Sequence, residues 1–379
     1  MPLLVLGLVE FVRGALVFSM LPLYGQYIAG YSLGVIGTAI SLHYLLDNLL
    51  RIPAGWLTDR FGGKWIMTGG IILSGLGVYL ISLRLSPTLF MLGAALFGFG
   101  SSPLWPTVIT GVAAKMPLKQ LGEALSKVFI AWLVGAGLGP VTVNFLIGHS
   151  YTWAFLALAG ALFLAVTLSI FGEFPRGLGE MPSLKGYLAD LWEEILSLWV
   201  LYPGMFVQTM AVGVLMPVIT IYARTVFGLS TGQFNYLLIG GGAFTVLLLL
   251  PAGKLSDRLG VKGPLVAGFF AAAICLALLP LQRAVFPTLV VGAFLGSSYS
   301  LILPAWNGLQ AKVVSPEKRG TMWAIFMTIE GIGTATGAFI GGKVWEGFGH
   351  AAPFFVSAGV LAVMAVFYSF NNLQKLMKT

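Results

Sequence analysis

Pro53-Ala-Gly-Trp-Leu-Thr-Asp-Arg-Phe-Gly-Gly-Lys64 recurs 198 residues later as Pro251-Ala-Gly-Lys-Leu-Ser-Asp-Arg-Leu-Gly-Val-Lys262. Eight of the twelve positions are identical, and each copy reads as a short charged break between two long apolar runs. The same offset relates Gly122 to Gly320, Gly135 to Gly333 and Gly139 to Gly337. A match that keeps register across three segments marks an internal duplication, so the chain reads as two homologous halves.

The composition places those halves in a membrane. Hydrophobic residues make up 58% and charged residues 9%, against about 25% charged in an ordinary soluble domain, and the mean hydropathy is +0.93. Apolar runs of about 20 residues suit a hydrocarbon core of ~30 Å, where helices satisfy their own backbone. Twelve are found, at 3–28, 33–57, 65–84, 88–112, 125–148, 152–171, 198–223, 231–253, 263–282, 286–309, 320–342 and 351–370. The expected fold is an all-α integral membrane protein: a six-helix bundle over 1–171, its pseudo-symmetric copy over 198–379, and a cytoplasmic linker over 172–197. Trp192 and Leu191 alternate with charges in that linker, which predicts an amphipathic helix on the inner membrane face. The first run is too long for a signal-peptide core and carries Glu10 and Arg13, so it reads as a retained helix. Cys275 is the single cysteine and permits no internal disulfide.

Lys and Arg set the orientation, because cytoplasmic loops retain positive charge. With the amino terminus inside, the inner breaks and tail hold Arg60, Lys64, Lys115, Lys119, Lys127, Arg176, Lys185, Lys254, Arg258, Lys262, Lys312, Lys318, Arg319, Lys375 and Lys378, and the outside only Arg84, Arg224, Arg283 and Lys343. Both termini are therefore expected in the cytoplasm, and the net charge of +8 reads as topology and contact with anionic lipid. No basic cluster carries the stacking aromatics that nucleic acid would need.

Charge inside the apolar runs is uneven. The first half buries Glu10, Arg13, His43, Asp47 and Arg51, the second only Glu330. Ionisable groups at such depth are costly and point to function. Glu10 and Arg13 share a helix face, and His43, Asp47 and Arg51 form one stripe. At 1.5 Å per residue from the cytoplasmic ends, Arg13 and Asp47 both lie ~15 Å deep and Glu10 and Arg51 both roughly 10 Å deep, so two cross-helix ion pairs are expected. Asp47 and Glu10 are the candidate proton carriers and Arg13 their partner; a purely structural network is the competing reading. Trp105, Trp132 and Trp306 lie inside runs, with Asn48, Asn144, Gln208 and Asn307 able to direct hydrogen bonds. An indole face stacks on a sugar ring, which suggests a polar headgroup site in the first half, while the nearly uncharged second half suits acyl chains.

The repeated signature Gly55-x-Leu57-x-Asp59-Arg60-x-Gly62-x-Lys64, with its copy at Gly253, Asp257, Arg258, Gly260 and Lys262, resembles that of the major facilitator superfamily. The resemblance implies alternating access, with the Asp and Arg residues helping to lock the cytoplasmic ends of the bundles. More closely, Glu10-Phe-Val-Arg-Gly14, Ser41-Leu-His-Tyr-Leu-Leu-Asp47, Ser102-Pro-Leu-Trp105, Trp132-Leu-x-Gly135 and Leu303-Pro-Ala-Trp-Asn307 resemble the Gram-positive flippases that move the diglucosyl-diacylglycerol anchor of lipoteichoic acid. That likeness implies a glycolipid substrate in the cell membrane, a proton gradient as energy source with no cofactor, headgroup or proton roles for Glu10, Arg13 and Asp47, and cavity roles for Trp105 and Trp132. One departure is a start almost at the first helix, without the polar extension expected of that family. A proton-coupled drug or sugar exporter is the alternative, because Gly135-x-x-x-Gly139-Pro140 resembles part of an antiporter motif in drug exporters; Val143-Asn144 stands where its glycines should follow. An enzyme is disfavoured. His43-x-x-x-Asp47 is one residue short of an acyltransferase pair, Gly337 to Lys343 lacks the Ser or Thr of a phosphate loop, and the three histidines are too scattered to suggest a metal site. A monomer is expected, since two halves complete one pathway.

Overall fold

Serine caps start many of the helices. Ser32 accepts from the Val35 N–H, Ser86 from Leu89, Ser150 from Thr152, and Ser230 forms a full capping box with Gln233. In the computed structural model, which describes residues 1–113, 121–174, 186, 192, 196, 198–313 and 319–371, twelve helical stretches follow. In the first half these are α1 (Pro2–Tyr27), α2 (Leu33–Leu49 bent onto Arg51–Phe61), α3 (Gly63–Ser82), α4 (Pro87–Val112), α5 (Leu121–Ile147) and α6 (Tyr151–Phe171). The second half has α7 (Tyr202–Thr225), α8 (Thr231–Leu259), α9 (Lys262–Leu281), α10 (Val285–Val313), α11 (Arg319–Phe348) and α12 (Ala352–Phe370). Among the described residues ten of these are long and apolar enough to cross a membrane, and bent α2 makes an eleventh. Glycine-rich α11, with Glu330 and Lys343, has the length but is less apolar.

The chain divides into two compact units, Met1–Glu193 and Glu194–Thr379. In the first, α1 packs on α5 and α6, α4 on α2 and α3, and α3 on α6; in the second, α7 packs on α11 and α12, α10 on α8 and α9, and α9 on α12. Each of these pairings reappears six helices later. The turns repeat as well: Gly30 and Gly62 have positive φ, as do Gly228 and Gly260 at the same 198-residue offset. A tyrosine tie repeats too, with the Tyr24 hydroxyl donating to Ser82 O at 2.7 Å and Tyr222 to Pro280 O at 3.3 Å.

Four features differ from the sequence reading. The signature is not a break, because Arg51–Phe61 and α8 as far as Leu259 are helical and the chain turns only at Gly62 and Gly260. Glycine at positive φ is the usual way to end a helix there. Second, α1 is π-wound over Leu16–Tyr24, around Pro22, which lacks the N–H of a regular turn. Third, α2 bends by 42°, because Pro53 cannot donate to Leu49 O and its ring crowds that carbonyl. The matching Pro251 leaves α8 unbroken. Fourth, α4 is interrupted between Ser101 and Leu104, beside Pro103 and Pro106, whereas α10 continues through Pro304.

The expected linker helix lies almost wholly outside the described residues; Trp192 is described, with an exposed side chain. Lys115, Lys119, Arg176, Lys185, Lys318, Lys375 and Lys378 also lie outside them. The Gly62 turn yields a simple expectation. At φ 91°, ψ 139° a side chain is strained, so Gly62→Ala should cost about 1–3 kcal/mol in thermal unfolding of the purified protein; an unchanged melting temperature would contradict that backbone.

Candidate functional site

Helical spacing on α1 sets Arg13 one turn above Glu10, and its Nη1 lies 3.1 Å from Glu10 Oε1. The other guanidinium nitrogen, Nη2, reaches across to Asp47 Oδ1 on α2 at 3.3 Å. Asp47 Oδ2 in turn accepts from Arg51 Nη2 at 2.7 Å, a pair that spans the bend in α2. From α4 come two further donors, Ser101 Oγ to Asp47 Oδ1 at 3.3 Å and Trp105 Nε1 to Glu10 Oε1 at 2.8 Å. Glu10, Asp47 and His43 are wholly buried, and Arg13, Arg51, Ser101 and Trp105 nearly so. With both carboxylates ionised and both arginines charged, the four charges cancel.

Of the two expected cross-helix pairs, Arg13 with Asp47 forms and Glu10 with Arg51 does not. Depth alone misleads here, because Asp47 stands four residues before Arg51 on the same helix and takes it as a neighbour, while Arg13 is near enough to serve both acids. The hydrogen-bond capacity is unevenly used. Asp47 has both oxygens engaged, but Glu10 Oε2 is buried without a partner, as are both ring nitrogens of His43. His43 packs against Tyr44 and Phe97, with ring centroids at 4.9 and 5.2 Å. Trp132 meets Trp105 edge to face at 6.2 Å and is partly exposed, so the two indoles form an aromatic wall with Phe129.

The second unit holds a smaller polar cluster. Gln208 Nε2, Trp306 Nε1 and Gln310 Nε2 converge on Glu330 Oε1 at 3.4, 3.3 and 3.2 Å. Glu330 occupies the position that Trp132 holds in the first unit, 198 residues earlier. Trp306 is thus a buried donor packed on Tyr368, and Asn307 next to it is exposed. Gln310 and Ser101 escaped the sequence reading. Ser101 carried a signal, lying one helical turn before Trp105 on the same face.

Around the signature, Arg60 lies over the rings of Trp56 and Phe61 at 5.1 and 5.2 Å and Lys64 over Trp65 at 5.4 Å, contacts that favour a cation. Asp59 is partly buried and, among the described residues, forms no ion pair; Gly55 packs against Pro106 of α4. Asp257 and Arg258 are exposed, as is Gly260 at the turn before Lys262, while Gly253 faces Pro304. Among the described residues no three His, Cys, Asp or Glu side chains gather as a metal site would require.

This architecture is shared with known proteins. The bacterial homologue of the human lysosomal transporter Spinster, in an inward-facing, unoccupied conformation, superposes with a TM-score of 0.81 at 16% identity, covering 100% of this chain and 96% of that one. The proton-coupled antiporter flippase LtaA of Staphylococcus epidermidis is 27% identical over 98% of this chain and 93% of its own length. Its namesake from Staphylococcus haemolyticus is 28% identical over 97% and 92%. Residues 3–199 and 201–376 match the Major Facilitator Superfamily, and with the duplicated six-helix units and the repeated signature already in place, the chain belongs to that superfamily of membrane transporters.

Proposed function

We propose that the chain is a proton-coupled antiporter that flips a glycolipid across a bacterial cell membrane by alternating access. The observation that carries this reading is the buried, charge-balanced network Trp105–Glu10–Arg13–Asp47–Arg51. Burying ion pairs seldom adds stability over apolar packing, so a network of four charges next to two indoles is better suited to exchanging partners than to holding helices. Glu10 Oε2 is the place where a proton adds. Protonation there releases Arg13 from one of its two carboxylates and leaves the guanidinium free to bind headgroup hydroxyls, while Trp105 and Trp132 offer faces for a sugar ring. Asp47 holds both arginines in place between cycles. His43, with no hydrogen-bond partner of its own, is available to pass the proton.

The names borne by the staphylococcal relatives support the same reading, as does the scarcity of charge inside the apolar runs of the second half, where Glu330 is the one charged residue, which suits lipid tails. In this scheme the proton gradient is the energy source and no cofactor is needed. Asp59, Arg60, Lys64 and their counterparts Asp257, Arg258 and Lys262 act at the cytoplasmic gate, both termini face the cytoplasm, and one chain completes the pathway.

Reconstitution into proteoliposomes with fluorescent diglucosyl-diacylglycerol tests it. A pH gradient should accelerate appearance of the lipid in the opposite leaflet, and Trp105→Phe, which removes the N–H bonded to Glu10, should slow it about tenfold. Gradient-driven efflux of a cationic dye with no glycolipid movement would instead establish the exporter alternative.

A further inference from the structure

Away from the charge cluster, α3 and α6 of the first unit part to leave a groove of about 520 Å³, within the range of small-molecule sites. Ile71, Val78 and Leu162 form its buried floor, and Ile72, Leu156 and Phe163 its exposed lips. Gly75 keeps it open: a Cβ there would meet only Leu162 Cδ1, at 3.9 Å. At one end the chemistry changes. Tyr79, Ser82, Tyr151 and Thr152 bring hydroxyls to the lining, and the Tyr24 hydroxyl, tied to Ser82 O, lies among them. Two residues beyond Ser82, just past the lining, stands the exposed Arg84. Among the described residues it is the one non-glycine at positive φ, 45°.

The groove is therefore amphipathic along its length, a greasy slot ending in hydroxyls, with an exposed arginine two residues past its last α3 residue. We propose that it holds an acyl chain of an anionic phospholipid, with the phosphodiester at Arg84 and the Tyr79 and Tyr151 hydroxyls. The occupant follows from charge and shape. A guanidinium pairs with a phosphate by two parallel hydrogen bonds, whereas an uncharged sugar headgroup would leave it unneutralised, and a slot between two helices accommodates a chain better than a ring system. The site shares no residue with the charge cluster. It lies at the end of the unit remote from the signature, the outer leaflet in the orientation proposed above.

Native mass spectrometry of the full chain tests this, after extraction from vesicles of equal parts phosphatidylglycerol and phosphatidylcholine. Phosphatidylglycerol should be retained over phosphatidylcholine by about tenfold. Gly75→Phe and Ala159→Phe, which fill the groove from opposite walls, should each abolish the retained lipid, while Leu76→Phe, on the exposed face of α3, should keep it. Arg84→Gly suits the backbone at φ 45° and should keep a bound lipid but lose the preference for phosphatidylglycerol. Equal retention of the two phospholipids by the parent chain, or undiminished retention by both groove-filling variants, would overturn the assignment.

Discussion

Asp47→Asn is expected to abolish proton-driven transport, slowing it at least about 100-fold, and to lower thermal stability as well. Asp47 is the junction of the network: Oδ1 takes Arg13 and Ser101, and Oδ2 takes Arg51. Without its charge the cluster passes from neutral to +1, and Arg51 keeps no carboxylate. Leaving a buried charge uncompensated costs about 3–5 kcal/mol, so lost transport by itself would not separate a proton site from a structural tie. The pair Asp47→Asn with Arg51→Gln does. Two carboxylates and two arginines become one of each, neutrality returns, and the melting temperature should recover most of the way towards the parent. Under the proposed mechanism glycolipid movement stays lost, since no carboxylate remains to hold Arg13 when Glu10 is protonated. Transport that returns together with neutrality would show the cluster to be a structural brace.

Much of this was legible because it depends on sequence-local rules. Duplication, helix number and the stripe of His43, Asp47 and Arg51 follow from periodicity and offset alone, and the cross-helix pairing of Arg13 with Asp47 follows from counting rise per residue. What escaped is where helices cease to be straight. Pro53, Pro103 and Pro106 were all visible, but a proline inside an apolar run does not say whether the helix bends: Pro53 does bend α2, and its counterpart Pro251 leaves α8 continuous. Those bends pass through the site. Arg51 was expected on Glu10 from depth, but the four-residue spacing on α2 gives it to Asp47, across the bend. The break in α4 sits between Ser101 and Trp105, the two residues that reach the acids. The two units therefore share their pairing of helices and their turns, and differ at the kinked helices where the first unit carries its charge.

The largest structural effect is expected at the glycines of α5, and it separates two meanings of Gly135-x-x-x-Gly139. A Cβ at Gly135 would strike the carbonyl of Gly7, and one at Gly139 the carbonyl of Phe11 and the N–H of Ala15. These are backbone atoms of α1, which cannot swing aside as a side chain does, so α1 and α5 would have to separate along the helix that carries Glu10 and Arg13. The second unit repeats the contact, with Gly333 against Phe206 O and Gly337 against Met210 O. Small residues at such spacing let helix backbones touch where lipid offers no hydrophobic drive for association. Gly139→Leu and Gly337→Leu should therefore each destabilise by about 3 kcal/mol or more, read as loss of the monodisperse peak in size-exclusion chromatography and a lower melting temperature. Gly137→Leu is the matched comparison. It lies in the same turn of α5 with nothing within 4 Å of a Cβ, and leucine is favoured over glycine in a helix by nearly 1 kcal/mol, so that variant should be neutral or slightly more stable and still transport. If Gly137→Leu proves as damaging to the fold as Gly139→Leu, close backbone approach is not what these glycines provide. If it folds but no longer transports, the glycines of α5 serve the transport cycle beyond packing, as the antiporter motif would require.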